Sequence, residues 1–120
     1  MIAVKAWEVP GYVVDKPFER VLKCLISPKL QDVHHVGIGM VILPPGNQST
    51  PHSHEVEEET WFVVSGRGKL TIGDETVEIE PEMLITATPG KKHFITNTGD
   101  ESLKMLWIFT PAGPEEEHIR

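Results

Sequence analysis

Two histidines two positions apart, His52 and His54, are the residues with the clearest potential for chemistry. Side chains at positions i and i+2 of a strand project from the same face, so both imidazoles could meet one cation. The pair follows the sequence Pro44-Pro45-Gly46-Asn47, which indicates a turn. Two imidazoles alone do not make a site, and a pair of surface histidines beside a loop explains this spacing equally well.

A carboxylate and a third imidazole complete the candidate set. Glu59 ends the acidic run Glu57-Glu58-Glu59 and opens an apolar strand that could return alongside the histidine pair. His93 follows the turn Pro89-Gly90 and begins another strand. An acidic run is often a solvated loop, and a lone histidine is more often structural, so both residues gain weight only from the pattern that they complete.

The spacing of these residues resembles that of the cupin superfamily, in the manner of a small type-2 cupin. The first cupin motif is matched by Gly46, five residues, His52, one residue, His54, four residues, Glu59, six residues and Gly66. The second motif is matched in part, at Gly90, His93 and Asn97, with Glu82 and Thr88 in place of the family's Gly and Pro.

The resemblance implies an all-β fold, an antiparallel jelly-roll barrel (a double-stranded β-helix) of six to eight strands. It also implies that His52, His54, Glu59 and His93 line the barrel and hold one divalent transition metal, and that the protein is a homodimer. Imidazole and carboxylate ligands suit Fe, Mn, Ni, Zn or Cu, and the ligand set does not choose among them. In octahedral geometry two positions stay open for a substrate.

The elements that must position these residues are short strands separated by turn residues. Ten Pro and ten Gly limit helices to short pieces. A two-residue type II′ turn at Gly73-Asp74 is expected to join two strands in a hairpin. The strands are predicted at Arg20–Ile26, Val33–Leu43, Gln48–His52, Thr60–Ser65, Gly68–Ile72, Thr76–Glu80, Leu84–Thr88, His93–Asn97 and Leu103–Thr110.

The chain is expected to form one domain with two appendages. Residues 1–20 are predicted to be an arm that packs on the barrel or on a second subunit, residues 21–111 the barrel, and residues 112–120 an acidic tail. In that tail the run Glu115-Glu116-Glu117 and His118 are expected to be solvated.

Strand parity also predicts which side chains line the interior. Residues on the same face as the ligands, and inward-facing residues of the last strand, could form a small-molecule pocket, although for each apolar one plain core packing is the commoner role. The candidates are Trp61, Val63, Ile95, Asn97 and Trp107. Adjacent His34 and His35 must point to opposite faces, so they cannot be a second metal pair, and one of them could serve as an acid or base.

Composition limits the classes of binding partner that we expect. The formal net charge is −7, from 18 acidic and 11 basic residues among 120, which argues against nucleic acid and against an anionic membrane surface. No apolar stretch approaches the roughly 20 residues of a membrane span. The single Cys24, in an apolar run, is expected to be a buried small hydrophobe, and one cysteine makes a cytoplasmic location the default expectation.

The sequence therefore predicts a metal-dependent enzyme that acts on a small oxygenated organic molecule by oxygenase or isomerase/lyase chemistry. Its catalytic acid or base stays unassigned. A non-catalytic module that binds or senses a small molecule is the alternative, and a metal-free structural cupin is disfavoured by the four ligand types at ligand spacing.

Overall fold

The computed structural model describes residues 1–119 and contains nine strands with a short 3₁₀ helix near each end. No helix in this part of the chain is long and apolar enough to cross a membrane. The strands are β1 Tyr12–Val14, β2 Arg20–Ile26, β3 Gly37–Leu43, β4 Glu58–Ser65, β5 Gly68–Ile72, β6 Glu75–Ile79, β7 Leu84–Ala87, β8 His93–Asn97 and β9 Leu103–Thr110. The 3₁₀ helices are Ala6–Glu8 and Pro114–His118.

The strands form two antiparallel sheets that enclose the core. The larger sheet has the order β1-β2-β3-β9-β4-β7, and the smaller has the order β6-β5-β8. Strand β9 therefore lies between β3 and β4, so chain segments far apart in sequence become neighbours. The all-β antiparallel jelly-roll prediction is confirmed, although strand hydrogen bonds do not close the two sheets into one continuous barrel.

The core follows the strict alternation of inward and outward side chains. Along β9 the buried residues are Leu103, Met105, Trp107 and Phe109, and the intervening residues are partly exposed. Trp107 stands opposite Gly39 of β3, and a Cβ at position 39 would collide with its indole ring. A glycine at that position thus leaves space for the largest side chain of the strand.

Most predicted strand limits agree with the structure to within a residue or two, and two differ. The strand predicted at Val33–Leu43 begins only at Gly37, after residues that form bends. The strand predicted at Gln48–His52 is not regular, because only Gln48 and His52 form isolated bridges, to Thr96 and His93. The predicted hairpin is confirmed, with Ile72 opposite Glu75 and Gly73 at a φ of 59°.

The two ends of the chain pack against β2. Strand β1 pairs with β2 at the open edge of the larger sheet. The C-terminal 3₁₀ helix contacts β2 and β3, and its Glu115 is fully buried. The expectation of a wholly solvated acidic run is therefore wrong for Glu115, and the expectation for His118 is wrong as well, because its ring packs beside Trp107.

Candidate metal centre

The four predicted ligands come from three segments that meet at one end of the molecule. Glu59 lies near the start of β4 and His93 at the start of β8, while His52 and His54 lie on the connection between β3 and β4. That connection runs along β8, because backbone hydrogen bonds join Ser49 to Ile95 and His52 to His93. The position of the histidine pair is thus fixed by the strand that carries the third imidazole.

A local bulge explains why this connection is not a regular strand. Ser49 pairs with Ile95 and His52 pairs with His93, so three steps along the connection match two steps along β8. The extra residue falls in Thr50-Pro51, where Pro51 has no N–H to donate. The bulge changes the direction of the chain just before His52. It therefore contributes to aiming the two imidazoles at Glu59.

The ligand atoms converge to within coordination range of one point. The Nε2 atom of His93 lies 2.9 Å from Oε1 of Glu59 and 3.2 Å from Nε2 of His52. The Nε2 atom of His54 lies 3.3 Å from the same Glu59 oxygen. One donor atom from each of the four residues lies within 4.8 Å of all the others. A single ion could therefore contact all four.

Hydrogen bonds at the far side of two rings favour this role. The Nδ1 atom of His52 lies 2.7 Å from the carbonyl oxygen of Thr50, and Nδ1 of His93 lies 3.2 Å from that of Lys91. A carbonyl oxygen can only accept, so each Nδ1 carries the proton and donates it. In the neutral ring Nε2 is then a lone-pair donor, and this is the usual arrangement of a metal-bound histidine.

Two ligand atoms are buried and lack a hydrogen bond within the described residues: Nε2 of His54 and Oε1 of Glu59. Glu59 and His93 are only 5% and 3% exposed. A buried carboxylate oxygen that faces three imidazoles without a hydrogen bond is energetically costly unless a cation shares the space. Three nitrogen donors and one oxygen donor suit a divalent transition metal, so the residues fit the group that the sequence implied.

Electrostatics agree with an ionised carboxylate. Burial alone would raise the pKa of Glu59, but the neighbouring rings of His54 and His93 hold it below its ordinary value. The pKa of His54 is raised, chiefly by the Glu59 carboxylate. The pKa of His52 is lowered, chiefly because desolvation of its ring disfavours the charged form. The cluster thus offers a negative oxygen and at least one neutral imidazole to a cation.

The ligand atoms open onto a cavity of about 370 Å³, a size that accommodates a small organic molecule. Its apolar wall is built from both sheets, with side chains of β2, β3, β4, β8 and β9. The apolar lining residues of these strands are Leu22, Val41, Trp61, Ile95, Trp107 and Phe109. Polar groups gather at the ligand cluster and at the rim, where Arg20, Glu117 and His118 lie.

Comparison with known proteins identifies the family. The Cupin_2 family model, described as a cupin domain, matches residues 39–109, which include all four candidate ligands. The chain belongs to the cupin family. The predicted superfamily resemblance is therefore confirmed.

Individual relatives of this cupin are distant. An uncharacterised protein, MJ1618 of Methanocaldococcus jannaschii, is 27% identical over 81% of the chain and 78% of its own length. The polyketide synthase CurC of Streptomyces cyaneus is also 27% identical, over 78% of the chain, and the match spans only 61% of CurC. The crystal structure of a predicted oxalate decarboxylase from Thermotoga maritima superposes with a TM-score of 0.84, at 23% identity, over 92% of the chain and all of that protein.

The structure separates the predicted pocket residues of this cupin into two groups. Trp61, Ile95 and Trp107 line the cavity. Val63 and Asn97 are buried but lie outside its lining, so the pocket prediction needs correction for these two. The alternation of side chains along β4 and β8 predicted that both point inward. They do, but they lie farther from the ligand end of their strands. Asn97 instead donates hydrogen bonds of 2.8 Å to the carbonyl oxygens of Leu43 and Glu101 and so fixes a turn.

The sequence suggested that His34 or His35 could serve as an acid or base at the site. Neither residue lines the cavity, and both are exposed, so the structure does not support that role.

Two residues that line the cavity were missed from the sequence. Arg20 and His118 do line it, although they lie in the segments assigned to the arm and the tail. Parity with Leu22 on β2 could have indicated Arg20. Nothing in the sequence indicated His118, because its position depends on how the C-terminal helix packs.

Proposed function

We propose that this cupin is a metal-dependent enzyme that acts on a small oxygenated organic molecule. The observation that carries the proposal is the convergence of three imidazoles and one buried carboxylate at the wall of an apolar cavity. A divalent transition metal held there would supply Lewis-acid chemistry by polarising a carbonyl or enol oxygen.

The residues of the chain would hold the ion and exclude water around it. His52, His54, Glu59 and His93 would bind the metal, with His52 and His93 oriented by their Nδ1 hydrogen bonds. Aromatic side chains such as Trp107 would give a flat, dry surface for an organic substrate. A buried ion on one wall of such a cavity favours substrates that present an oxygen at one end.

The relatives support chemistry of the isomerase/lyase type. One is named as a polyketide synthase and another as a predicted oxalate decarboxylase, and both names concern oxygen-rich carbon compounds. Decarboxylation is a lyase reaction in which negative charge builds on oxygen atoms next to the breaking bond. A Lewis-acid site stabilises that charge. We therefore place lyase or isomerase chemistry first and oxygenase chemistry second.

Metal binding is tested by elemental analysis and calorimetric titration of the purified protein with Mn²⁺, Fe²⁺, Ni²⁺, Cu²⁺ and Zn²⁺. We expect one ion per chain. The variant His54→Ala should lose most of it while its circular dichroism spectrum stays unchanged, and the matched control His35→Ala, an exposed histidine, should keep it. Equal metal content in both variants, or no metal in the natural protein, would contradict the ligand assignment.

Catalysis is tested with the metal-loaded protein and a panel of oxalate, acetylacetone and 3,4-dihydroxybenzoate. Products are followed by NMR and oxygen by electrode. We expect turnover of one class without oxygen uptake, and its loss in His54→Ala. Turnover that consumes oxygen would move the assignment to an oxygenase. Saturable binding with no product from any compound would contradict the enzyme and favour a module that only binds or senses its ligand.

We also infer that this cupin forms a homodimer through its N-terminal segment. Trp7 is 78% exposed, and Val13 of the edge strand β1 is 58% exposed. An open sheet edge and exposed apolar side chains of the same N-terminal segment are features that a second copy can cover. Light scattering should give twice the chain mass for the natural protein and for Leu84→Ser, and a monomer for Trp7→Ser. A monomeric natural protein would contradict the inference.

A further inference from the structure

Arg20 lines the cavity and has no part in metal binding. Arg20 is the first residue of β2, and it lies on the same face of that strand as Leu22. Both side chains line the cavity, with Leu22 buried and Arg20 partly buried. Leu22 pairs with Val41, so Arg20 lies toward the Leu43 end of the sheet, whereas Glu59 pairs with Phe109 near the opposite end.

The bonding of Arg20 leaves most of its donors available. Its Nη1 donates to the carbonyl oxygen of Phe18 at 3.0 Å. Among residues 1–119, no carboxylate lies within ion-pair distance of it. A guanidinium has five N–H donors in a rigid plane, so the fork that suits a planar oxyanion is largely unused by the protein.

A second arginine in the same chain shows the contrast. Arg67 is exposed and forms a 2.6 Å ion pair with Glu80. The exposed arginine is thus paired, whereas the cavity arginine forms no ion pair with any residue that the structure describes. Partial burial of a cation without a counter-ion is unfavourable, and desolvation accordingly lowers the pKa of Arg20. An anion brought by a ligand would remove that penalty.

The wall that separates Arg20 from the ligand cluster is apolar, with Leu22, Val41 and Trp107 among its residues. The one other acid at the rim, Glu117, is exposed on the C-terminal helix. A molecule that fits this distribution has an anionic group at one end, an apolar or aromatic middle, and an oxygen at the other end that meets the ligand cluster. A hydrocarbon satisfies neither polar end, and a neutral sugar lacks the anionic group.

We infer that Arg20 is a specificity residue that binds the carboxylate of the substrate, so that the substrate class is a small oxygenated carboxylic acid. The inference rests on the proposed metal-dependent function, because the oxygen at the far end needs the metal. The planar guanidinium matches a carboxylate through two parallel hydrogen bonds, and each charged pair of this kind contributes strongly when it is partly shielded from water. Turnover is not needed to test it.

The test compares the binding of 3,4-dihydroxybenzoate, 3,4-dihydroxybenzamide and 3,4-dihydroxyphenylphosphonate to the metal-loaded protein by calorimetry. These probes share a chelating end and differ in the far group. We expect the carboxylate to bind about 10- to 100-fold more tightly than the amide. In Arg20→Met this preference should vanish while the affinity for the amide stays the same, and in Arg20→Lys it should be partly retained. The control Arg67→Met should behave like the natural protein.

Several outcomes would overturn the inference. Equal loss of carboxylate and amide binding in Arg20→Met would show a merely structural role, and an unchanged preference would show that another group reads the anion. Tighter binding of the phosphonate would replace the carboxylic acid by a phosphorylated substrate. The metal titration is done first on every variant. Absence of metal binding would therefore refute the proposed function alone, and carboxylate preference would still be measured on the metal-free protein.

Discussion

Two acidic triplets, one in the middle of the chain and one near its C-terminal end, have the same sequence and different roles. Glu57-Glu58-Glu59 spans the start of β4, and Glu115-Glu116-Glu117 lies in the C-terminal 3₁₀ helix. Each buries one carboxylate: Glu59 is 5% exposed and Glu115 is 0% exposed. What distinguishes the two is the set of groups that each buried carboxylate meets.

The carboxylate of Glu115 is satisfied by the protein itself. Its Oε2 accepts a 2.7 Å hydrogen bond from the Ser27 hydroxyl, and its Oε1 accepts a 2.6 Å bond from the Gly113 N–H. Gly37 gives it space, because a Cβ there would collide with the carboxylate. This glutamate fastens the C-terminal helix to the sheet. Its role is therefore structural.

The carboxylate of Glu59 is surrounded differently. Its Oε1 lies close to His54 and His93 but has no hydrogen bond within the described residues. Burial alone therefore does not mark a functional acid. A buried acid whose oxygens are satisfied stabilises the fold, whereas one that faces other donors across a shared space is arranged for a cation.

The largest expected effect is on metal binding by the first triplet. Glu59→Ala should weaken metal binding by more than about 100-fold, beyond what loss of an outer-shell partner costs, because it removes a charged ligand. The free energy of unfolding without metal should also fall, because the lowered pKa of Glu59 means that His54 and His93 stabilise its ionised carboxylate in the folded state. Calorimetric titration and urea unfolding measure the two quantities.

The exposed neighbour Glu58 is the matched control for this experiment, and Glu58→Ala should leave both quantities unchanged. Retention of full metal affinity in Glu59→Ala would remove the distinction between the triplets.

An intermediate effect, on stability, is expected from the second triplet. Glu115→Ala should lower the free energy of unfolding by about 2–4 kcal/mol, because it leaves the Ser27 hydroxyl and the Gly113 N–H without their partner and opens a void. Glu116→Ala, in an exposed neighbour, should change it by less than about 0.5 kcal/mol. Urea unfolding of the metal-free proteins measures this. A loss of metal affinity with unchanged stability in Glu115→Ala would reverse the assigned roles.

A double-mutant cycle measures the interaction between Gly37 and Glu115. Gly37→Ala should destabilise the natural protein by about 1–3 kcal/mol through overpacking against Glu115. In the Glu115→Ala background that penalty should largely disappear, because the added methyl then fills the void. Additive effects would show that the two residues do not interact.

The smallest expected effect concerns Cys24, whose prediction as a buried apolar thiol is confirmed. Burial raises the pKa of Cys24 to about 11 from 9.0, and the charges of Glu115 and Glu116 add to the shift. Between about pH 9 and pH 11, the thiol is mostly deprotonated in the unfolded state and mostly protonated in the folded state. The unfolded state then binds fewer protons, so stability should fall as pH rises from about 9 to 11.

Urea midpoints across that range would show the effect, and Cys24→Ala should reduce the slope. Rapid alkylation of native Cys24 by iodoacetamide at pH 8 would contradict its shielding.

The sequence predicted the convergence of His52, His54, Glu59 and His93 because motif spacing is local and can be compared with the cupin pattern. Strand alternation did not position His52 and His54, because the connection that carries them is not a regular strand. Other features depend on pairing between distant segments, and sequence spacing does not contain it. The bulge at Thr50-Pro51 exists only because the connection lies along β8, and Glu115 is buried only because the C-terminal helix reaches Ser27 and Gly37.

The proposed function requires that one ion binds between three imidazoles and Glu59. An anomalous-scattering map of crystals grown with a single metal, Mn²⁺ or Zn²⁺, would locate that ion. We predict one strong peak per chain within about 2.0–2.3 Å of Nε2 of His52, His54 and His93 and of Oε1 of Glu59. A fully loaded protein whose only peak lies elsewhere, or a map without a peak at this cluster, would contradict the assignment of these four residues as metal ligands.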